Sequence, residues 1–133
     1  MTLVDSNILI DILGGDPVWA ERSIAALANR ARHGPLAIND IVYAELAAGF
    51  AKQAKLDKEV AAMRLVIAPM AKNALFLAGQ AFRRYRAGGG ARANVLADFF
   101  VGAQAAADKW PLLTRDAKRY RTYFPTVELV GVA

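Results

Sequence analysis

Short apolar runs alternate with longer stretches of helical period along this chain. Runs of β-like residues lie near Thr2 to Asp5, Leu36 to Asn39, Leu65 to Ala68, Leu112 to Thr114 and Val127 to Val130, each too short for a helix and rich in branched residues. Between them, apolar residues recur at three and four positions: Ala20, Ile24, Leu27, Ala28 and Ala31 in one segment, and Ala71, Ala74, Leu75, Ala78, Phe82 and Tyr85 in another. That spacing puts them on one helix face, so they are core stripes rather than cofactor contacts. Strands alternating with helices predict an α/β fold, a parallel sheet wrapped by helices. Gly88, Gly89 and Gly90 interrupt the second stripe and read as a loop between helices, since they have neither dinucleotide-motif spacing nor a P-loop lysine. No internal repeat or low-complexity tail is visible.

Against this pattern, a few acids stand where apolar residues are expected. Asp5 is the only charge in the first ten residues, Glu45 the only one between Asp40 and Lys52, and Asp98 the only one between Arg92 and Asp108, while Asp116 follows a strand-like run. Taken singly, each could cap a helix or pair with an arginine. Folded together they are another matter, because two carboxylates about 4 Å apart repel by roughly 4 kcal/mol at a protein-like dielectric. Such a cluster needs protons, basic partners or a hard divalent cation. Ligands of an open parallel sheet gather at the carboxyl ends of its strands, which would bring Asp5 and Asp116 to one rim. The placement points to a metal-dependent nuclease. Nearby polar residues have simpler readings: Ser6 or Asn7 as cap of the helix after Asp5, Asn39 or Asp40 as cap of the helix carrying Glu45, and Asp11 as a solvated helix residue facing away from Ile8, Ile12 and Leu13.

Composition narrows the chemistry further. A length of 133 residues and 14.3 kDa predicts one domain, 1–133, able to bury a core unaided. With no cysteine in the chain, disulfides, thiolate zinc sites and a cysteine nucleophile are excluded. The single histidine, His33, lies in Arg32-His33-Gly34-Pro35, a helix end where capping is expected, so histidine-driven hydrolysis is not. Neither a signal peptide nor a membrane span is readable, which predicts a cytoplasmic protein. The net charge of +5 and sequence pI near 9.8 favour a polyanionic partner. Arg83, Arg84, Arg86 and Arg92 precede Asp98, and Arg115, Lys118, Arg119 and Arg121 surround Asp116, with Tyr85, Tyr120 and Tyr123 interleaved. Arg83, Arg86, Arg92, Arg115 and Arg119 are the residues expected to hold a phosphate backbone over the acids.

The segments Val4-Asp5-Ser6-Asn7-Ile8-Leu9-Ile10-Asp11, Ile38-Asn39-Asp40-Ile41-Val42-Tyr43-Ala44-Glu45-Leu46, Leu96 to Ala105 around Asp98, and Leu112-Leu113-Thr114-Arg115-Asp116, in that order and spacing, resemble the PIN-domain ribonucleases. Within them they are most similar to the VapC-type toxins of VapBC toxin-antitoxin pairs. The resemblance covers nearly the whole chain. It implies a single PIN-like domain with about five parallel strands in the order 3-2-1-4-5, and an endoribonuclease that hydrolyses phosphodiester bonds with a metal-activated water. It also implies Asp5, Glu45, Asp98 and Asp116 as the acidic quartet holding Mg2+ or Mn2+, Asp5 and Asp98 foremost, with Thr114 and Ser6 or Asn7 as hydrogen-bonding neighbours. A VapB-type antitoxin and a homodimer are the implied partners, and RNA the implied substrate. Some relatives carry Asn at the position of Asp116 and an acid three residues later, where this chain has Arg119.

Other readings fit less well. A phosphoacceptor receiver domain needs paired acids after the first strand, where Asp5 is followed by Ser6, and an aspartate after the third strand, where Pro69 stands. An aspartyl-phosphate phosphatase needs a second aspartate at the position of Asn7. A housekeeping PIN nuclease, and a basic RNA-binding module in which the arginines matter and the acids do not, remain the alternatives.

Overall fold

A computed structural model of the chain describes residues 1–90 and 96–131. Its strands are β1 (Thr2–Val4), β2 (Leu36–Ile38), β3 (Leu65–Ile67), β4 (Leu112–Leu113) and β5 (Leu129–Val130), and its helices are α1 (Ser6–Leu13), α2 (Ala20–Ala31), α3 (Asp40–Ala47), α4 (Gln53–Ala62), α5 (Lys72–Ala87), α6 (Leu96–Asp108) and α7 (Ala117–Tyr123). The predicted strand-like runs are all strands: the first four lose their last residue, which turns into the next loop or helix, and the fifth is shortened at its start, where the chain is still in the turn after α7. The sheet is parallel, in the order β3-β2-β1-β4-β5, which agrees with the α/β expectation. Its central members carry the apolar load: Leu3, Val4, Ala37, Ile38, Leu112 and Leu113 are fully buried, as expected of parallel strands covered by helices on both faces. β3 lies at an edge, and Val66 and Ile67 there are exposed.

The strand order reverses between β1 and β4, where Val4 pairs with Leu113. The chain runs outward from β1 through β2 to β3 and then returns to the other side of β1. This leaves a crevice beyond the carboxyl ends of β1 and β4, the usual ligand position in open α/β sheets.

Local signals set several helix starts. Asn39 Oδ1 accepts the Val42 N–H at 2.9 Å and caps α3, as anticipated for Asn39 or Asp40. Ahead of α1 the cap is Asp5, whose Oδ1 accepts the Ser6 N–H at 2.8 Å. This corrects the expectation of Ser6 or Asn7, and the reason is that the chain leaves β1 in an extended conformation at Asp5 and becomes helical one residue on. His33 Nδ1 lies 3.0 Å from the Asn29 carbonyl at the end of α2, the capping place predicted for it. α5 ends at Ala87 and Gly89 has φ 88°, so the glycines do break the helix. No helix among the described residues is long and apolar enough to cross a membrane.

Helices α5, α6 and α7 are joined by aromatic side chains. The Phe99 ring, fully buried, meets Phe82 at 5.8 Å, Tyr85 at 5.5 Å, Tyr123 at 5.2 Å and Phe124 at 6.2 Å between centroids. These tilted and edge-on contacts are the favourable geometries for rings. Gly102, one turn beyond Phe99, has no side chain because the Phe124 ring occupies that space: a Cβ there would stand 2.4 Å from it. The orientation of α6, and hence of Asp98, follows from this cluster.

Candidate active site

Asp5 stands at the carboxyl end of β1 and is almost wholly buried. Its backbone N–H donates to the Leu113 carbonyl at 2.9 Å, so the β1–β4 ladder holds it in place. Beyond the Ser6 N–H on Oδ1, donors converge on Oδ2: the Thr114 hydroxyl at 2.9 Å, the Tyr120 hydroxyl at 2.8 Å and the Asn7 amide at 3.4 Å. Asn7 also donates to Thr114 Oγ1 at 3.3 Å, and Thr114 Oγ1 accepts the Asp116 N–H at 3.1 Å. Burial raises the Asp5 pKa above its ordinary value, Asp98 raises it further, and the hydrogen bonds from Tyr120, Thr114 and Ser6 work the other way. The Tyr120 phenol is itself pushed well above 10.0 by burial and by the Asp5 and Asp98 charges, so it remains a proton donor to Asp5 at neutral pH.

The other acids come from separate elements. Glu45 projects from α3, and its Oε1 is buried with no hydrogen-bond partner among the described residues. Its pKa is raised by burial, eased by the nearby Ser6 hydroxyl, and raised again by Asp5 and Asp98. Asp98 sits in the first turn of α6, with its pKa raised by burial and by Asp116 and lowered by Arg119. Arg119 Nη1 donates to Asp98 Oδ2 across the gap between α7 and α6. Asp116 is the exposed N-cap position of α7. Asp98 thus raises the proton affinity of Asp5, Asp5 and Asp98 raise that of Glu45, and Asp116 raises that of Asp98, a chain of couplings that links the four acids.

The donor set is entirely carboxylate oxygen, and Glu45 Oε1 lacks a partner, so the chemistry suits a hard divalent cation. Among the described residues no three acidic side chains stand together as a ready ion cage. Part of the reason is visible, since Asp5 Oδ2 is surrounded by protein donors and Asp98 is engaged by Arg119.

The basic residues divide. Arg83, Arg84 and Arg86 on α5 are exposed, and Arg92 lies outside the described residues. Arg115 is committed elsewhere: its Nε and Nη2 donate to Asp11 Oδ2 at 2.7 Å and Oδ1 at 2.9 Å, and its guanidinium lies 4.9 Å from the Trp19 ring centroid. Asp11 is buried and also accepts the Ser23 hydroxyl at 3.1 Å, which overturns its reading as a solvated helix residue. The helical spacing held a signal, because Asp11 follows Ile8 by three residues and so lies about 60° from it round the helix. This two-pronged pair ties the β4–α7 loop to α1 and fixes Thr114 against Asp5. Tyr120, grouped by sequence with the basic residues, is instead buried in the site; its spacing carried no sign of the bond to Asp5.

The PIN domain family matches residues 2–125. Among solved structures, the fold is shared with VapBC2 from Rickettsia felis bound to a DNA fragment from its promoter, with TM-score 0.75, 21% identity, and coverage of 99% of this chain and 98% of that one. It is also shared with FitAcB from Neisseria gonorrhoeae (TM-score 0.68, 22% identity, 97% and 96% covered) and with a toxin-antitoxin complex from Klebsiella pneumoniae (TM-score 0.69, 22% identity, 98% and 96% covered). No curated protein sequence is recognisably similar to the chain.

Proposed function

The chain belongs to the PIN domain family, and from that premise we propose that it is a single-domain, divalent-metal-dependent endoribonuclease, the toxin of a toxin-antitoxin pair. What supports this most is that Asp5 stands buried at the end of β1, beside the point where the strand order reverses, and is electrostatically linked to acids from other elements, Asp98 and Glu45 directly and Asp116 through Asp98.

In this reading Asp5, Glu45, Asp98 and Asp116 hold Mg2+ or Mn2+. The ion, when bound, supplies positive charge that activates water near neutral pH and offsets charge on the attacked phosphate. The protein's own groups do the rest. Thr114, Tyr120 and Asn7 fix the orientation of Asp5, a supporting role that commonly decides metal affinity. Glu45 Oε1, with no hydrogen-bond partner among the described residues, would be available to the ion. Arg83 and Arg86, exposed on α5, together with Arg92 and Arg119, are the residues proposed to hold backbone phosphates. Arg115 is assigned to positioning the β4–α7 loop. Glu45 also lines an apolar groove of about 510 Å3 with Ile10, Leu13, Leu46 and Phe50. Such a groove beside the acids suits an amphipathic segment of a VapB-type antitoxin, and the similar structures named above include toxin-antitoxin complexes. A homodimer in the cytoplasm completes the reading.

The test is cleavage of labelled single-stranded RNA and total tRNA with Mg2+, Mn2+ or EDTA, beside Asp5→Asn and Asp98→Asn variants shown to be folded. Metal-dependent cutting lost in both variants is the expected result. Metal-independent RNA binding without cutting in all three proteins would replace the nuclease with a basic RNA-binding module.

A further inference from the structure

We infer that Arg119 is a tethered counter-cation: it competes with the divalent ion for Asp98, and it leaves Asp98 when an ion binds. The inference rests on the metal-nuclease reading above and adds a regulatory contact inside the same site.

Asp98 is crowded by burial and by Asp116, and the Arg119 guanidinium is what opposes both. Of Asp5, Glu45, Asp98 and Asp116, among the described residues only Asp98 is engaged in a salt bridge. An arginine on a carboxylate uses the lone pairs a metal would need, and its positive charge also repels an approaching cation. Arg119 therefore acts against ion binding both by occupancy and by charge.

Geometry makes the contact reversible. The Arg119 and Asp98 side chains are 31% and 26% exposed, so the pair lies at the mouth of the crevice. Partly exposed ion pairs are weak, which lets a doubly charged ion displace one. Arg119 also lines an open hollow of about 330 Å3 with Asp116, Lys118, Thr122 and Tyr123, which offers the released guanidinium a solvated place. Its neighbour Tyr120 is buried and bonded to Asp5, so α7 stays anchored while the arginine swings. By contrast, Arg115 is bound in two prongs to a buried carboxylate and has no such freedom.

The prediction is that losing the charge tightens ion binding. Mn2+ titrated into the full chain without RNA, and followed by calorimetry, should bind Arg119→Gln about two- to fivefold more tightly than the parent protein. Arg119→Lys, which keeps the charge but not the planar fork, should fall between the two. Because metal ligands are needed for any of this, Asp5→Asn and Asp98→Asn are run alongside. If the parent binds Mn2+ and loses it in those variants while Arg119→Gln and Arg119→Lys match the parent, the competitor role is overturned and the metal site stands. If the parent and Arg119→Gln both fail to bind Mn2+ at millimolar concentration, both readings fall. A second measurement is independent of variant folding: the Arg119 side-chain NMR signal should shift to that of a solvated guanidinium on Mg2+ titration, and an arginine that remains on Asp98 in the ion-loaded protein would overturn the inference.

Discussion

Glu45→Gln should make the metal-free protein more stable and the metal-loaded protein less so. Glu45 Oε1 is buried with no partner among the described residues, and burial, Asp5 and Asp98 together disfavour its charged form. An unsatisfied buried polar atom costs about 1–3 kcal/mol. Because the Glu45 side chain is only partly buried, the gain on neutralising it is placed at the low end, about 1 kcal/mol. For a chain of 133 residues the unfolding entropy is roughly 0.3 kcal/mol/K, so Tm in EDTA at pH 7 should rise by about 4 °C. With Mn2+ present, a protein binding the ion at a hundredfold excess over Kd gains about 2.7 kcal/mol. Altering a residue that supports the ion typically weakens binding 10- to 100-fold, by the measure of outer-shell changes, and this reverses the ranking. The pH dependence has a definite sign. The folded-state pKa of Glu45 lies above its ordinary 4.5, so the folded protein holds that proton more tightly than the unfolded chain. Its charge therefore lowers stability as pH rises through the window above 4.5, and the penalty is absent below it. The advantage of Glu45→Gln should accordingly be present at pH 7 and vanish near pH 4. Thermal unfolding followed by circular dichroism, in EDTA and in Mn2+ at both pH values, checks this. A variant less stable than the parent in EDTA at pH 7, or one stabilised equally by Mn2+, would refute the assignment of Glu45 as a strained, ion-facing carboxylate.

The remaining expectations concern what holds the site together. Arg115→Met should leave Asp11 buried with only the Ser23 hydroxyl and destabilise the protein by about 2–3 kcal/mol, somewhat less than for a wholly buried pair because the Arg115 side chain is 32% exposed. An unchanged urea midpoint would show that the pair contributes nothing. Gly102→Ala, normally favourable inside a helix, should here lower Tm, since the new methyl would meet the Phe124 ring at 2.4 Å and overpacking costs about 1–3 kcal/mol. A rise in Tm would mean that the α6–α7 contact is loose enough to yield.

Much of the architecture is legible in the order of the residues. Leu36-Ala37-Ile38 and Leu112-Leu113 are strands because short branched runs flanked by polar residues have few other uses. The helical stripes are right only in part: Ala74, Ala78 and Leu27 are buried, whereas Ala71 at the cap of α5, Leu75 on α5, and Ile24, Ala28 and Ala31 on α2 are exposed, because the period gives a face but not which neighbour covers it. The acids, too, are conspicuous, because a lone charge in an apolar stretch is visible by itself. What each acid touches is not. Asp11, Asp98 and Asp5 meet Arg115, Arg119 and Tyr120 across 104, 21 and 115 residues of sequence, and the basic cluster around Asp116 reads in sequence as a uniform phosphate-binding surface. In the folded chain one of its arginines braces α1, another opposes a carboxylate of the site, and its tyrosine is buried. Turn chemistry, helix period and strand propensity act over a few residues, so the amino-acid order alone determines them. Partners for charged and hydrogen-bonding groups depend on the register of β1 against β4 and on how the Phe99 cluster docks α6 and α7, and those are decided only when the whole core has packed.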